Sequence, residues 1–300
     1  MKLIERHTSN LLKAILPFGI IATHYLPLYG YDTLYLGEII VALFFFMSGY
    51  GLSVSKKKVT MHLFVQRISK LIIPFTISIL LFQFVTLAFG KIAILKVPYC
   101  KNFTDAIGMI LPNSWFVYSI VIFYTIFHII NHIIKKDGLK YTTLFLLMML
   151  YIKLMSKYVP GEHWHITSLA FFSGTLYKEI QDKRVKQDWQ MIYFLIMLVA
   201  TLTSFLIKGF YSRLLFFALI PFAICSILSY CHFNTNKIIS FFYNISYPMY
   251  LLHGITIYIV NLMGDILSLY TGFILIIAIT IPMAYMVYNL DNKIRAKYFF

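Results

Sequence analysis

The feature that most constrains this chain is a succession of long apolar runs separated by short basic stretches. The run from Leu34 to Val54 holds a single charged residue, Glu38, close to its start. A hydrocarbon layer needs ~20 apolar residues per crossing helix. Ten runs are candidate spans, the fifth and sixth of them short: Leu11–Leu28, Leu34–Val54, Leu71–Phe89, Trp115–Ile134, Tyr141–Met155, Ile166–Tyr177, Met191–Ile207, Leu214–Tyr230, Ile238–Val260 and Leu269–Val287. No soluble core buries a chain that is 60% hydrophobic and 12% charged, because soluble domains carry roughly 25% charge. The expected fold is therefore all-α, a polytopic transmembrane helical bundle of about ten spans. One membrane domain is expected to fill residues 1–300, with no internal repeat. The N-terminal region lacks a small-residue cleavage pattern, so the first run is expected to remain as a helix.

Charge sets the expected orientation. The net charge is +15, but the basic residues recur in clusters between apolar runs rather than along one stripe. That pattern reads as membrane topology and argues against nucleic acid as a partner. With the N-terminus placed inside, 19 of the 26 basic residues fall on the inner side and 7 on the outer. The positive-inside bias then puts both termini in the cytoplasm. Cys100, Cys225 and Cys231 have no metal-ligand spacing, and no disulfide or metal is expected.

Ionisable groups inside a span are costly and are functional candidates by default. Lys13 and His24 in the first run are eleven residues apart, close to three helical turns, so they share a face and are separated by ~16 Å. His253 lies fifteen residues into the ninth run, ~22 Å along it. Trp115 opens the fourth run, and Glu38 opens the second after a short loop from His24. These four residues, His24, Glu38, Trp115 and His253, form an expected outer group. An expected inner group contains Lys13, the Ser48, Gly49 and Tyr50 turn, and Arg67 and Lys70 at i,i+3, with Lys56, Lys57 and Lys58 close by. A histidine held by a carboxylate is suited to deprotonating a hydroxyl. A basic mouth is suited to phosphates, although ordinary positive-inside topology also produces such clusters.

Several pieces recur in a fixed order: KAILPFGIIATH, FFFMSGYGL, RISKLIIPF, SWFVYSIVIFY and ISYPMYLLHG. In these the chain resembles acyltransferase family three, integral membrane acyltransferases that include polysaccharide and fucose O-acetylases. The first piece matches a basic residue, ten positions and a histidine; Lys13 stands where many members have arginine. The second is close to FF-x-x-SGY, the third resembles Arg-x-x-Arg with Lys70 in the second place, and the last resembles Ser-Tyr-x-x-Tyr-Leu-x-His. The resemblance runs from Lys13 to about Gly254.

The resemblance implies that acyl-coenzyme A, acetyl-CoA by default, enters from the cytoplasm as donor substrate, with no tightly bound cofactor. It implies His24 as general base and Arg67 at the coenzyme A phosphates. Lys13, Lys70 and the Ser48–Tyr50 turn join the donor side, and Trp115 offers a stacking wall to a sugar or acyl chain. His253 is an oxyanion donor or supports the site from behind. The expected acceptor is a hydroxyl of an envelope polysaccharide or lipid-linked sugar, in the plasma membrane of a bacterium. A transporter or flippase of an envelope precursor is the alternative, with Lys13, His24 and His253 as its relay. His163 and His165 around Trp164 read as an aromatic-belt segment. His128 and His132 at i,i+4 lack a third zinc ligand.

Overall fold

The computed structural model describes residues 6–54, 60–89, 93–182, 198–207, 209–228, 231, 234, 236–263 and 267–298. Among the described residues there are helices, turns and loops and no strand. The helices are α1 (Arg6–Tyr25), α2 (Leu36–Val54), α3 (Met61–Ala88), α4 (Phe103–Ile110), α5 (Trp115–Ile133), α6 (Asp137–Tyr158) and α7 (Leu169–Asp182). There follow α8 (198–206), α9 (Phe210–Leu228), α10 (Lys237–Asn261) and α11 (Leu269–Tyr298).

Seven of these elements are long and apolar enough to cross a bilayer: α1 with the 3-10 turn that follows it, α2, α3, α5, α6, α9 and α11. Among the described residues, length and composition therefore support seven spans and do not confirm about ten. The sixth run folds as α7, which has 14 residues and spans only ~21 Å. Much of the seventh run, and Lys56, Lys57 and Lys58, lie outside the described residues. The ninth run forms the 25-residue α10. It is left out of the seven because Asn244, Ser246, Tyr247, Tyr250, His253 and Thr256 dilute its apolar character. Its middle is also buried, from Ile245 through Ile257 with few breaks, so protein surrounds it.

Local sequence sets several helix starts. The Thr60 hydroxyl accepts from the Leu63 amide at 3.3 Å, and the Asn236 side chain accepts from Ile239 at 2.8 Å. Each satisfies an amide that the first turn leaves without a partner. Capping at Thr60 starts α3 ten residues before the apolar run begins. Its 28 residues make a helix of ~42 Å, longer than a hydrocarbon core of ~30 Å. Arg67 and Lys70 therefore belong to a helical extension, and so do Asp291 and Arg295 at the end of the 30-residue α11.

The chain divides into two compact units. The first comprises residues 1–12, 38–59 and 122–235, and the second residues 13–37, 60–121 and 236–300. In the first unit, aromatic rings of Phe45, Phe46, Phe123, Phe171, Tyr177 and Phe222 interlock around α2, α7 and α9. In the second, α10 packs on α11 and α3, and α3 packs on α11. Polar locks reinforce this packing. Thr256 and Thr280 share a buried hydrogen bond of 2.8 Å. The Tyr247 hydroxyl donates to the Leu71 carbonyl at 3.0 Å, one turn before Pro74 interrupts the α3 ladder.

Candidate active site

Side-chain contacts set α1 parallel to α10 within the second unit. The Lys13 ammonium lies 5.6 Å from the centre of the Tyr243 ring, within cation–π range. Phe18 meets Phe242 edge-on at 5.2 Å, and His24 meets His253 with ring centres 5.0 Å apart and planes 30° from one another. Lys13 and His24 thus face one helix along one face of α1, as their eleven-residue spacing predicts.

Tyr25 fixes the last turn of α1. Its ring is fully buried, stacks on Phe273 of α11 at 6.1 Å, and its hydroxyl donates to that of Tyr29 at 2.9 Å. Gly272 makes room for it, since a Cβ there would overlap the Tyr25 hydroxyl. With Tyr25 anchored, the adjacent His24 is turned ~100° around the helix toward α10, where it remains exposed.

His253 is the opposite case, with no exposed surface. Its Nδ1 is hydrogen-bonded to the Tyr250 carbonyl one turn earlier. A carbonyl only accepts, so Nδ1 carries the proton, and Nε2 is left to accept from the Asn113 amide at 3.4 Å. The Tyr250 hydroxyl donates back to the Asn113 carbonyl at 2.8 Å. Asn113 has a φ of +58°, left-handed backbone that asparagine tolerates better than most residues. Gly254 allows this loop to approach α10: a Cβ there would lie 2.8 Å from the Pro112 Cβ. Trp115 follows two residues later as the first residue of α5, half-buried and edge-on to Phe116 at 6.3 Å.

At the other end of the second unit, Lys70 lies within electrostatic reach of Arg67, Asp291 and Arg295. Arg295 is bound to Asp291 through Nε and Nη2 at 2.8 and 2.7 Å, and through Nη2 to the Asn292 side chain at 2.9 Å.

The remaining candidates belong to the first unit. Gly49 is a packing position, since a Cβ would overlap the Phe171 carbonyl, just as one on Gly174 would overlap that of Phe46. The Tyr50 ring is buried edge-on against Tyr177 at 5.7 Å, and Ser48 is half-buried beside them. Glu38 lies within electrostatic reach of Arg213 and Glu162. Arg213 grips Glu162 in a bidentate pair, Nη1 to Oε2 at 2.5 Å and Nη2 to Oε1 at 2.8 Å. Those bonds hold the Glu162 carboxyl below the usual carboxylate range. Burial disfavours the charged form of the neighbouring His163 and His165 and lowers both. His165 is 4% exposed, and its ring lies tilted against Phe210 at 5.5 Å.

Sequence reasoning passed over Asn113, Tyr250 and the Asp291–Arg295 pair. Tyr250 precedes His253 by three residues within ISYPMYLLHG, a spacing that shares a helix face. Asn113 sits in a Pro-Asn-Ser turn that needed an unusual φ. The stacked rings of His128 and His132, 6.3 Å apart, gain no third ligand, as no metal-binding group of three occurs among the described residues.

No curated protein and no solved structure matches the chain. A family model does: its description is an acyltransferase domain, and it matches residues 6–288. That span takes in both units and every residue of the histidine contact. With its apolar helices long enough to cross a bilayer, the chain is an integral membrane protein that belongs to acyltransferase family three.

Proposed function

We propose that this chain is an O-acyltransferase that takes an acyl group, acetyl by default, from cytoplasmic acyl-CoA and places it on a hydroxyl of an envelope polysaccharide or lipid-linked sugar. The observation that carries the proposal is the His24–His253 contact in a chain of this family. Both ring nitrogens of His253 are engaged by Tyr250 and Asn113, whereas His24 reaches the surface. In this reading His253 positions and His24 reacts.

The acceptor hydroxyl loses its proton to His24 as its oxygen attacks the thioester carbonyl. The tetrahedral adduct then collapses, the carbon–sulfur bond breaks, and coenzyme A leaves as thiolate while the ester remains on the sugar. His24 returns its proton to the thiolate or to solvent. Trp115, opening the helix next to Asn113, offers its face to the sugar or acyl chain. Lys13 supplies a positive charge along the path of the donor, and Arg67 and Lys70 meet its phosphates. Glu38, beside Arg213 and Glu162, serves the acceptor side. Ser48, Gly49 and Tyr50 serve the donor side by fixing α2 on α7. The excess of basic residues on the inner side supports cytoplasmic termini, and the family resemblance is what suggests the plasma membrane of a bacterium.

The test supplies acetyl-labelled acetyl-CoA to membranes that contain or lack the chain, in a host that makes its own envelope glycan. Label is expected in the glycan fraction only where the chain is present. Equal labelling of both, with insertion verified, would remove the acetyl-CoA reading.

A further inference from the structure

Three basic groups gather where the start of α3 meets the end of α11, and their arrangement exceeds what topology requires. Lys70 feels Arg67 and Arg295 as like charges, with Asp291 as the opposing one. Asp291 is 5% exposed and already spends both carboxylate oxygens on Arg295. A helix C-terminus favours cations, which would account for Arg295 and for Lys297 alike. It does not account for the brace. Asp291 and Asn292 take the Nε hydrogen and both Nη2 hydrogens of Arg295. A guanidinium has five N–H donors, so the two on Nη1 are left without a partner among the described residues. One edge of the fork is fixed, and the other, on a side chain that is 13% exposed, is not used among the described residues.

We propose that Arg295 is a third cation of a phosphate-binding site shared with Arg67 and Lys70, held in place by Asp291 and Asn292. Its occupant is a phosphate-rich group, and on the donor reading above this is the nucleotide end of acyl-CoA. A guanidinium with its orientation already set loses less freedom on binding an anion, and its planar edge matches two phosphate oxygens. The opposing charge of the occupant relieves the crowding of Arg67, Lys70 and Arg295. Arg295 and Asp291 both lie beyond residue 288, where the family match ends, so the assignment comes from this chain's own geometry.

The test measures binding of coenzyme A, pantetheine and inorganic pyrophosphate to the full chain in phosphatidylcholine nanodiscs. R295A is expected to weaken coenzyme A by about tenfold, and R295K by about fivefold because it keeps the charge and loses the fork. Pantetheine, which lacks the phosphates, should bind all variants alike. K297A removes the same charge from the same helix and should stay within about twofold. D291N should weaken binding less than R295A, and the D291N/R295A double variant should be no worse than R295A alone, as expected when Asp291 acts through Arg295. Wild-type affinity for coenzyme A in correctly inserted R295K and R295A overturns the proposal and leaves the donor reading standing. A deficit that appears only when a quarter of the lipid is phosphatidylglycerol also overturns it, assigning Arg295 to lipid headgroups. Absence of coenzyme A binding by the wild type sinks the donor reading instead. Pyrophosphate then decides: binding lost in R295K sustains the phosphate site, and no binding at all overturns it.

Discussion

Two helix contacts carry the chain's most motif-like residues, and they are built on different physics. In the first unit α2 meets α7 by removal of bulk: Gly49 and Gly174 each accept a carbonyl of the other helix where a Cβ would sit, and Tyr50 seals the contact against Tyr177. In the second unit α1 meets α10 through polar groups, Lys13 over Tyr243 and His24 against His253. Close approach of small residues is how membrane helices pack in general, so the first contact acts through packing, and in the proposed function it serves the donor side only by fixing α2 on α7. A fully buried histidine tied to Asn113 and Tyr250 adds nothing that leucine could not supply for packing. In the proposed function its cost in a low-dielectric interior is offset by its bonds to Tyr250 and Asn113 and by its place against His24.

Substitutions break this comparison in a graded way. The largest effect is expected on turnover: His24→Ala should slow transfer by about 10²–10⁴-fold, the usual worth of a general base, with insertion and thermal stability close to wild type. Gly49→Leu should do the reverse, destabilising by about 1–3 kcal/mol or more through overpacking. It should be read as a lower melting temperature in detergent, with transfer falling less than in His24→Ala. Tyr250→Phe removes the hydroxyl that holds the Asn113 carbonyl and should lower transfer by about five- to tenfold, the equivalent of ~1 kcal/mol, without changing donor affinity. Equal stability losses in His24→Ala and Gly49→Leu would erase the distinction between the two contacts.

The smallest effects concern the His163–Arg213 region of the first unit. Burial lowers His165, so the unfolded chain takes up a proton before the folded one does. The stabilising contribution is therefore present above the ordinary histidine range, near pH 6.5, and is lost as pH falls below it. His165→Phe should flatten the fall in melting temperature between about pH 7.5 and 5.5, and an unchanged slope would assign that fall to other groups. Glu162 is likewise held low, first by its hydrogen bonds from Arg213, so its contribution is present above the carboxylate range and disappears as pH drops through it. Both partners are partly exposed, at 35% and 54% for the side chains, which limits Glu162→Gln to ~1 kcal/mol or less near neutral pH.

Some of this was legible in the sequence because helix geometry is periodic. The eleven residues from Lys13 to His24 place both on one face in any continuous helix, and α1 is continuous from Arg6 to Tyr25. The start of α5 at Trp115 was legible for a similar reason, since an apolar run follows a polar turn. Glu38 was legible as the charged residue near the start of an apolar run, but its electrostatic neighbours Arg213 and Glu162 are distant in sequence and leave no local spacing to read. The 14-residue α7 reads as a span because its interior is apolar, yet packing on α6 and α9 supplies the apolar environment that lipid would. Asp291 and Arg295 were counted only as charges, because an i,i+4 pair shows its orientation only when the neighbouring helix is in place.

The most direct test of the account measures two quantities on one preparation of His24→Ala: coenzyme A binding and transfer of labelled acetyl to the envelope glycan, both normalised to inserted protein. Donor binding is expected to stay within about twofold of wild type, with transfer reduced by at least about 10²-fold. Transfer at the wild-type rate with donor bound would contradict this and remove His24 from the reaction.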